Sequence, residues 1–393
     1  MSKGTIIYIG GFELPDKNAA AHRVVNNGKA LKTLGYDVVF VGIQKEDTSK
    51  IKKHSFFDFT VYSISYPNSK SSWFKYITEF NKYIDIVESH KNIHSLILYN
   101  LPAISIKRLL NYSRKKNIKI FSDCTEWYEA PKNGNLLMRL VKKFDVKYRM
   151  EKLHLQLDGI ISISKFLHNY YSKHNTKSIL LPPLVDTDDK KWKKKQVNYN
   201  KKVTDFVYAG SPFSIANKSA VKDKLDVIID AFYKELKFNR NFHLHIIGVT
   251  LEDMLSFYPI LQNKIEKLNN NVTFYGRREH VFVLDLLKKS DFSIFYRENT
   301  LTNTAGFPTK FVEAISASSA VITNSSSNIK DYLAEGKNSF LLPNDNSKSI
   351  EEVLHDVLNL SIEKKKEIKE YTNKNNLIFD YKNYLNQFKE LLN

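Results

Sequence analysis

The chain has 393 residues, enough for two domains of ordinary size, and its 42% hydrophobic content supplies ample core. A formal charge of +18 favours anionic partners or a solvated basic surface, and no nucleic-acid-binding signature accompanies it, so nucleic acid is not an expected partner. One cysteine, Cys124, excludes an internal disulfide; with no bilayer-length apolar run and no signal-peptide pattern in MSKGTIIYIGG, the expected location is cytoplasmic.

The pattern alternates strands and helices from the start. Thr5 to Ile9 is a short apolar run closed by Gly10-Gly11, which predicts a buried strand and a tight turn. A helical stretch over 18–34 and an apolar run over 37–41 follow, the spacing of a parallel pair with a right-handed crossover. Further strands are predicted at 95–99, 118–122 and 158–164, with helices at 72–90, 103–116 and 136–155. The last of these is amphipathic and basic, with Leu137, Leu140, Val141, Phe144 and Tyr148 on one face. Packing of that face into a core is the expected arrangement, and contact with an anionic membrane surface is the alternative. Asn100, Asp123, Glu126 and Trp127 stand at or just past strand ends, where open α/β sheets gather ligands.

Residues 186–202 (DTDDKKWKKKQVNYNKK) are strongly charged and read as a linker. A second alternation begins at Asp205 to Tyr208, followed by Ala209-Gly210-Ser211 and Lys222-Asp223-Lys224 before a helix. Strands ending at Gly248 and at Gly276-Arg277 come next. Phe292 to Tyr296 and Ala320 to Thr323 are predicted strands that flank a polar loop and a helix entered through Gly306-Phe307-Pro308-Thr309, with Pro308 in its first turn. Lys310 lies in that helix's first turn, beside free backbone N–H groups that attract anions. Glu313, about one turn on, suits a vicinal diol, and phosphate with a diol suggests a nucleotide. The dinucleotide fingerprint Gly-x-Gly-x-x-Gly is absent at Gly10 and at Gly210, which argues against a nicotinamide dehydrogenase. No Cys/His cluster has metal-ligand spacing, so neither a metal nor another cofactor is expected.

Ala305-Gly306-Phe307-Pro308-Thr309-Lys310 with Glu313, Tyr208-Ala209-Gly210-Ser211, and Asp123 to Tyr128 together resemble family 4 of the retaining GT-B glycosyltransferases, in a bacterial surface-polysaccharide branch. The resemblance implies two doubly wound Rossmann-like domains facing across a cleft. These would be an acceptor-side domain over 1–185 with a C-terminal helix near 377–393, the linker 186–202, and a donor domain over 203–376. It implies transfer of a hexose from a nucleotide-diphosphate sugar, UDP foremost, to a glycan or lipid-linked saccharide hydroxyl, without a metal. Lys222, Arg297 and the helix start would stabilise the leaving diphosphate, and Glu313 would hold the ribose. Gly210, Ser211, Gly248 and Arg277, the run Gly306 to Lys310, and Gly10 with Gly11 would line the donor. His22, Arg23, Asn100, Asp123, Glu126 and Trp127 would face the acceptor. The family pattern Glu, seven residues, Glu is broken here by Ala305 at the first position. A nucleotide-sugar epimerase on the same fold, and a non-catalytic polyanion-binding protein, stay open as alternatives. Peripheral attachment at the inner membrane face is a family-level expectation.

Overall fold

The computed structural model describes all residues except 1, 16–17, 45–50, 68, 70–79, 128–135, 194–200, 215–216 and 344–348. Parts of the helix expected over 72–90 and of the linker expected over 186–202 lie outside the described residues, as does Tyr128. The chain divides into two compact units: Met1–Val185 with Ala305–Phe307 and Asp380–Asn393, and Asp186–Thr304 with Pro308–Phe379.

The first unit runs β1 (Thr5–Gly10), α1 (Ala19–Thr33), β2 (Asp37–Gln44), β3 (Lys52–Phe56), β4 (Phe59–Ser65), α2 (Asn81–Glu88), β5 (Ile93–Tyr99), α3 (Ala103–Lys116), β6 (Lys119–Cys124), α4 (Leu136–Tyr148), β7 (Gly159–Ser162), α5 (Lys165–Lys173) and β8 (Ser178–Leu180). Its eight strands lie in the order β3-β4-β2-β1-β5-β6-β7-β8, parallel except for the β3–β4 pair. β1 is buried along its whole length, as a central strand covered on both faces must be. Asn18 caps α1 by accepting from the Ala21 N–H at 2.9 Å. The antiparallel β3–β4 hairpin turns through Phe57 and Asp58, both at positive φ. Its first strand is mostly exposed and carries no clear apolar alternation, so the sequence reading passed over it.

The second unit runs β9 (Thr204–Ala209), β10 (Phe213–Ser214), β11 (Asn217–Val221), α6 (Leu225–Glu235), β12 (Phe242–Ile247), α7 (Leu251–Phe257), α8 (Gln262–Leu268), β13 (Val272–Phe274), α9 (His280–Lys289), β14 (Phe292–Phe295), α10 (Leu301–Ala305), α11 (Thr309–Ser316), β15 (Ala320–Asn324), β16 (Ser339–Leu342), α12 (Ile350–Leu358) and α13 (Ile362–Lys374). Six parallel strands lie in the order β13-β12-β9-β14-β15-β16, and β10–β11 is a separate antiparallel pair. Both large sheets reverse direction beside their first strand, between β1 and β5 and between β9 and β14. Such switch points open a crevice at the carboxyl ends of the strands. The remaining element, α14 (Leu385–Leu392), belongs to the first unit, where Phe388, Leu391 and Leu392 join the core formed with β1, β2 and α1.

Three local expectations are corrected. Pro308 is the N-cap of α11, not a first-turn residue, with ψ at 110° and the Phe311 N–H donating to its carbonyl at 3.1 Å. The polar loop expected before it contains a helical turn, α10, organised by Thr300, whose hydroxyl accepts from the Asn303 N–H at 3.2 Å. The helix expected over 136–155 leaves α-geometry after Tyr148 and continues as a π-turn over Arg149–Leu153 and a 3-10 turn over His154–Gln156.

Candidate functional site

In the second unit the switch point between β9 and β14 carries the polar cluster. β9 is followed by Gly210, whose φ of +151° favours glycine; a Cβ there would stand 2.8 Å from Lys310 Nζ. Gly248 follows β12 at φ +104°, with no room for a Cβ, which would meet the Gly210 carbonyl at 2.2 Å. Its N–H donates to Gly276 O at 2.8 Å, so three strand ends pack backbone to backbone. Ser211, beyond Gly210, and Arg277, beyond Gly276, are exposed.

Asp223 sits in the middle of this cluster, 3% exposed. Lys310 donates to its Oδ2 and Tyr208 OH donates to the same oxygen at 2.7 Å. Arg297 Nε lies 3.4 Å from Oδ1, a charge contact without hydrogen-bond geometry. Burial pushes the Asp223 carboxyl toward protonation, but Lys310 and then Arg297 pull it below the usual carboxylate range. The carboxylate is therefore charged at neutral pH, and two cations share one anion. Lys310 Nζ also rides over the Tyr208 ring, 4.3 Å from its centroid. The Arg297 backbone is held on both sides by Asn324, which accepts from its N–H at 2.9 Å and donates to its carbonyl at 2.7 Å. In its guanidinium, buried Nε and Nη1 find no hydrogen-bond acceptor among the described residues.

Of the other residues singled out in this unit, Lys222 is exposed, with its N–H donating to Pro212 O at 2.7 Å. Lys224 is tied to Glu298 at 2.5 Å. Thr309 and Lys310 open α11, and Glu313, one turn on, meets His280 Nε2 at 3.2 Å. His280 is the first residue of α9, with its ring against the buried Trp192. Asp223, His280 and Asn324 had no role in the sequence reading, and Tyr208 entered it only within the run Tyr208 to Ser211. A Lys-Asp-Lys before a helix was the only signal for Asp223, and its partners lie far along the chain.

In the first unit Gly10 and Asn100 meet at the β1–β5 switch point, where Gly10 is paired with Tyr99 and a Cβ on it would strike Tyr99 O at 2.1 Å. Gly11 faces open space. Asn100 adopts φ +49° and donates to Thr125 Oγ1 at 3.1 Å. Glu126 and Trp127 are half-buried, with the Trp127 ring edge-on to Tyr170 at 4.9 Å. His22 is half-buried early in α1. Gly306 and Phe307 are buried, and Ala305 is closed from solvent with its carbonyl accepting from Ser164 Oγ at 2.7 Å.

Two acceptor-side assignments are corrected. Asp123 is 0% exposed and Arg23 2%, and they form an ion pair at 2.7 Å. Tyr8 OH and Asn27 also donate to Asp123, while Arg23 Nη1 donates to Leu181 and Pro182 carbonyls at 3.1 and 3.2 Å. Both ions spend their hydrogen-bonding capacity inside the unit, joining α1, β6 and the segment after β8. A strand-end position predicted a ligand contact, but the side chain of Asp123 points into the core.

Residues 213–375 match the family model described as Glycosyl transferases group 1. The fold is the two-domain α/β architecture of GT-B glycosyltransferase structures. The chain is similar to a sucrose-phosphate synthase from Thermosynechococcus elongatus, at 11% identity and a TM-score of 0.72 over 99% of this chain and 98% of that one. It is also similar to HepE from Anabaena, solved with UDP and glucose, at 13% identity and a TM-score of 0.65 over 99% of each chain. A third similar structure is the lipopolysaccharide outer core galactosyltransferase WaaB, at 14% identity and a TM-score of 0.61 over 99% of each chain. No curated protein matches the chain in sequence. The family match and the fold together support a glycosyltransferase.

Proposed function

We propose that the chain is a retaining glycosyltransferase that moves a sugar from a UDP-sugar to a hydroxyl of a glycan or lipid-linked saccharide. The observation that carries this reading is the Arg297 guanidinium at a switch point, with two buried N–H donors unused beside Lys310 and the start of α11. A diphosphate offers the acceptor oxygens and charge that such donors lack. As the bond from the sugar C1 to the diphosphate breaks, charge builds on the leaving oxygen, and Arg297, Lys310 and Lys222 are assigned to stabilise it. Glu313, steadied by His280, accepts hydrogen bonds from the ribose diol. The acceptor oxygen bonds C1 on the same face, and its proton passes to the departing diphosphate, so no protein nucleophile is assigned. Gly11 is assigned to the donor, and His22, Asn100, Glu126 and Trp127 to the acceptor. The UDP bound in the similar HepE structure and the galactosyltransferase identity of WaaB support the choice of donor.

Thermal shift against UDP, GDP and ADP tests the donor site. UDP at a hundred times its Kd adds about 2.7 kcal/mol to the folded state. That gain is expected to shrink in Glu313→Ala and in Arg297→Met. Equal indifference of the wild type to all three nucleotides overturns the site. NMR of the product's anomeric proton tests retention, and an inverted linkage refutes it.

A further inference from the structure

The charged stretch 186–202 is expected to be a linker, yet part of it packs as an element of the second unit. Lys190–Trp192 forms a 3-10 turn behind Asp189, whose side chain accepts from the Lys191 N–H at 3.0 Å and whose carbonyl accepts from the Trp192 N–H at 2.9 Å. Two contacts hold this turn against α9. Lys288 is 8% exposed, and its Nζ donates to the Lys191 carbonyl at 2.6 Å and to Asp285, one turn earlier on α9, at 3.2 Å. An ammonium taken out of water needs partners, and Lys288 finds one of them in the main chain of the turn. At the other end of the same helix the buried Trp192 ring meets the His280 ring nearly edge-on, with centroids 6.1 Å apart and planes at 78°.

The imidazole so bounded is the one that meets Glu313. An ionised carboxylate only accepts, so His280 Nε2 carries the proton of the 3.2 Å contact with Oε1. The contacts run from Trp192 to His280 to Glu313, and all three residues belong to the second unit. A glutamate side chain is rich in rotamers, and a diol that had to order it on binding would lose affinity to that entropy. His280 removes part of this freedom beforehand, but only while its own ring is kept from turning, and the Trp192 edge limits that turning.

We propose that Trp192 is a positioning residue for the donor: through His280 it orients the carboxylate that takes the ribose diol. The segment that leads into the second unit thereby sets how well the site recognises the sugar of the nucleotide. The proposal rests on the assignment of Glu313 to the ribose.

Calorimetric titration of the full chain with UDP and with 2′,3′-dideoxy-UDP tests it, because the two ligands share base and diphosphate and differ only in the diol. The wild type is expected to bind UDP about tenfold more tightly or better, the worth of a hydrogen bond to a charged group. Glu313→Ala should bring the two nucleotides level. Trp192→Leu should cut the preference by about threefold or more with the dideoxy ligand's affinity unchanged, and should have no further effect in the Glu313→Ala background. Trp192→Phe, which keeps an aromatic edge, should retain most of the preference. Lys288→Met unties the turn without touching the ring; it serves if Trp192→Leu does not fold, and the same selective loss is expected from it. An unchanged preference in these variants overturns the proposal, and so does an equal loss for both nucleotides, which would make Trp192 a support of the fold alone. A wild type that binds both ligands alike, or a Glu313→Ala chain that still prefers UDP, removes the ribose assignment itself and the proposal with it.

Discussion

Asp223 is the only acid bonded to Lys310 and the only one in contact with the Arg297 guanidinium among the described residues, so its charge decides whether those two cations tolerate burial. Asp223→Asn leaves two positive groups uncompensated and is expected to cost about 3–5 kcal/mol in urea unfolding. UDP should recover more stability in that variant than in the wild type, because the added anion takes over the lost charge. His154 gives a second test. Burial, reinforced by Arg149, lowers its pKa to about 3, and its ring hydrogen-bonds Tyr171 OH at 2.7 Å. Between pH 6.5 and about 3 the unfolded chain binds a proton that the folded imidazole refuses. Stability therefore falls as pH falls through that window, by up to about 1.4 kcal/mol per pH unit from this group. His154→Gln should show a shallower decline in calorimetric stability from pH 6.5 to 4. At this scale the sequence was legible for residue type but not for pairing. Lys310, Arg297 and Glu313 stood out as charges near strand or helix ends. The pairing of Arg23 with Asp123, one hundred residues along the chain, leaves no trace in local spacing.

The elements around the second unit's cluster depend on glycine at a place where the reason is steric. Gly248→Ala would force a Cβ toward the Gly210 carbonyl at a φ that alanine resists. The backbone strain alone costs about 1–3 kcal/mol, and the shifted β9 end should also reduce stabilisation by UDP, both readable by thermal shift. Period-based reading succeeded for β1, β5 and β14, whose apolar runs are buried throughout. It failed for α4, where Leu140, Val141 and Phe144 are exposed, because a period of 3.6 identifies an apolar face without saying whether anything covers it. It missed the β3–β4 hairpin, whose outer strand has little to bury, and α10, whose one turn is fixed by Thr300 and not by an apolar stripe.

Each unit has its own sheet and core, and strand-helix alternation made this two-domain architecture legible over the whole chain. Two calorimetric transitions are expected, as for separate cores. Phe388→Ala removes a fully buried ring from the first unit's core and should lower one transition by about 3–5 kcal/mol. UDP should raise the other. A single transition that both perturbations move together would show that the units unfold as one.

The last strip of the first unit has a consequence for how the protein is made. Phe388, Leu391 and Leu392 complete a core whose other members all precede residue 185, and Lys119 Nζ donates to the Leu392 carbonyl at 2.8 Å. A ribosome delivers these residues only after the entire second unit has been translated. Domains generally fold in the order they emerge. Here the first unit to emerge is the last to close, and its nascent sheet waits with the seat of α14 vacant while the later unit can already finish folding.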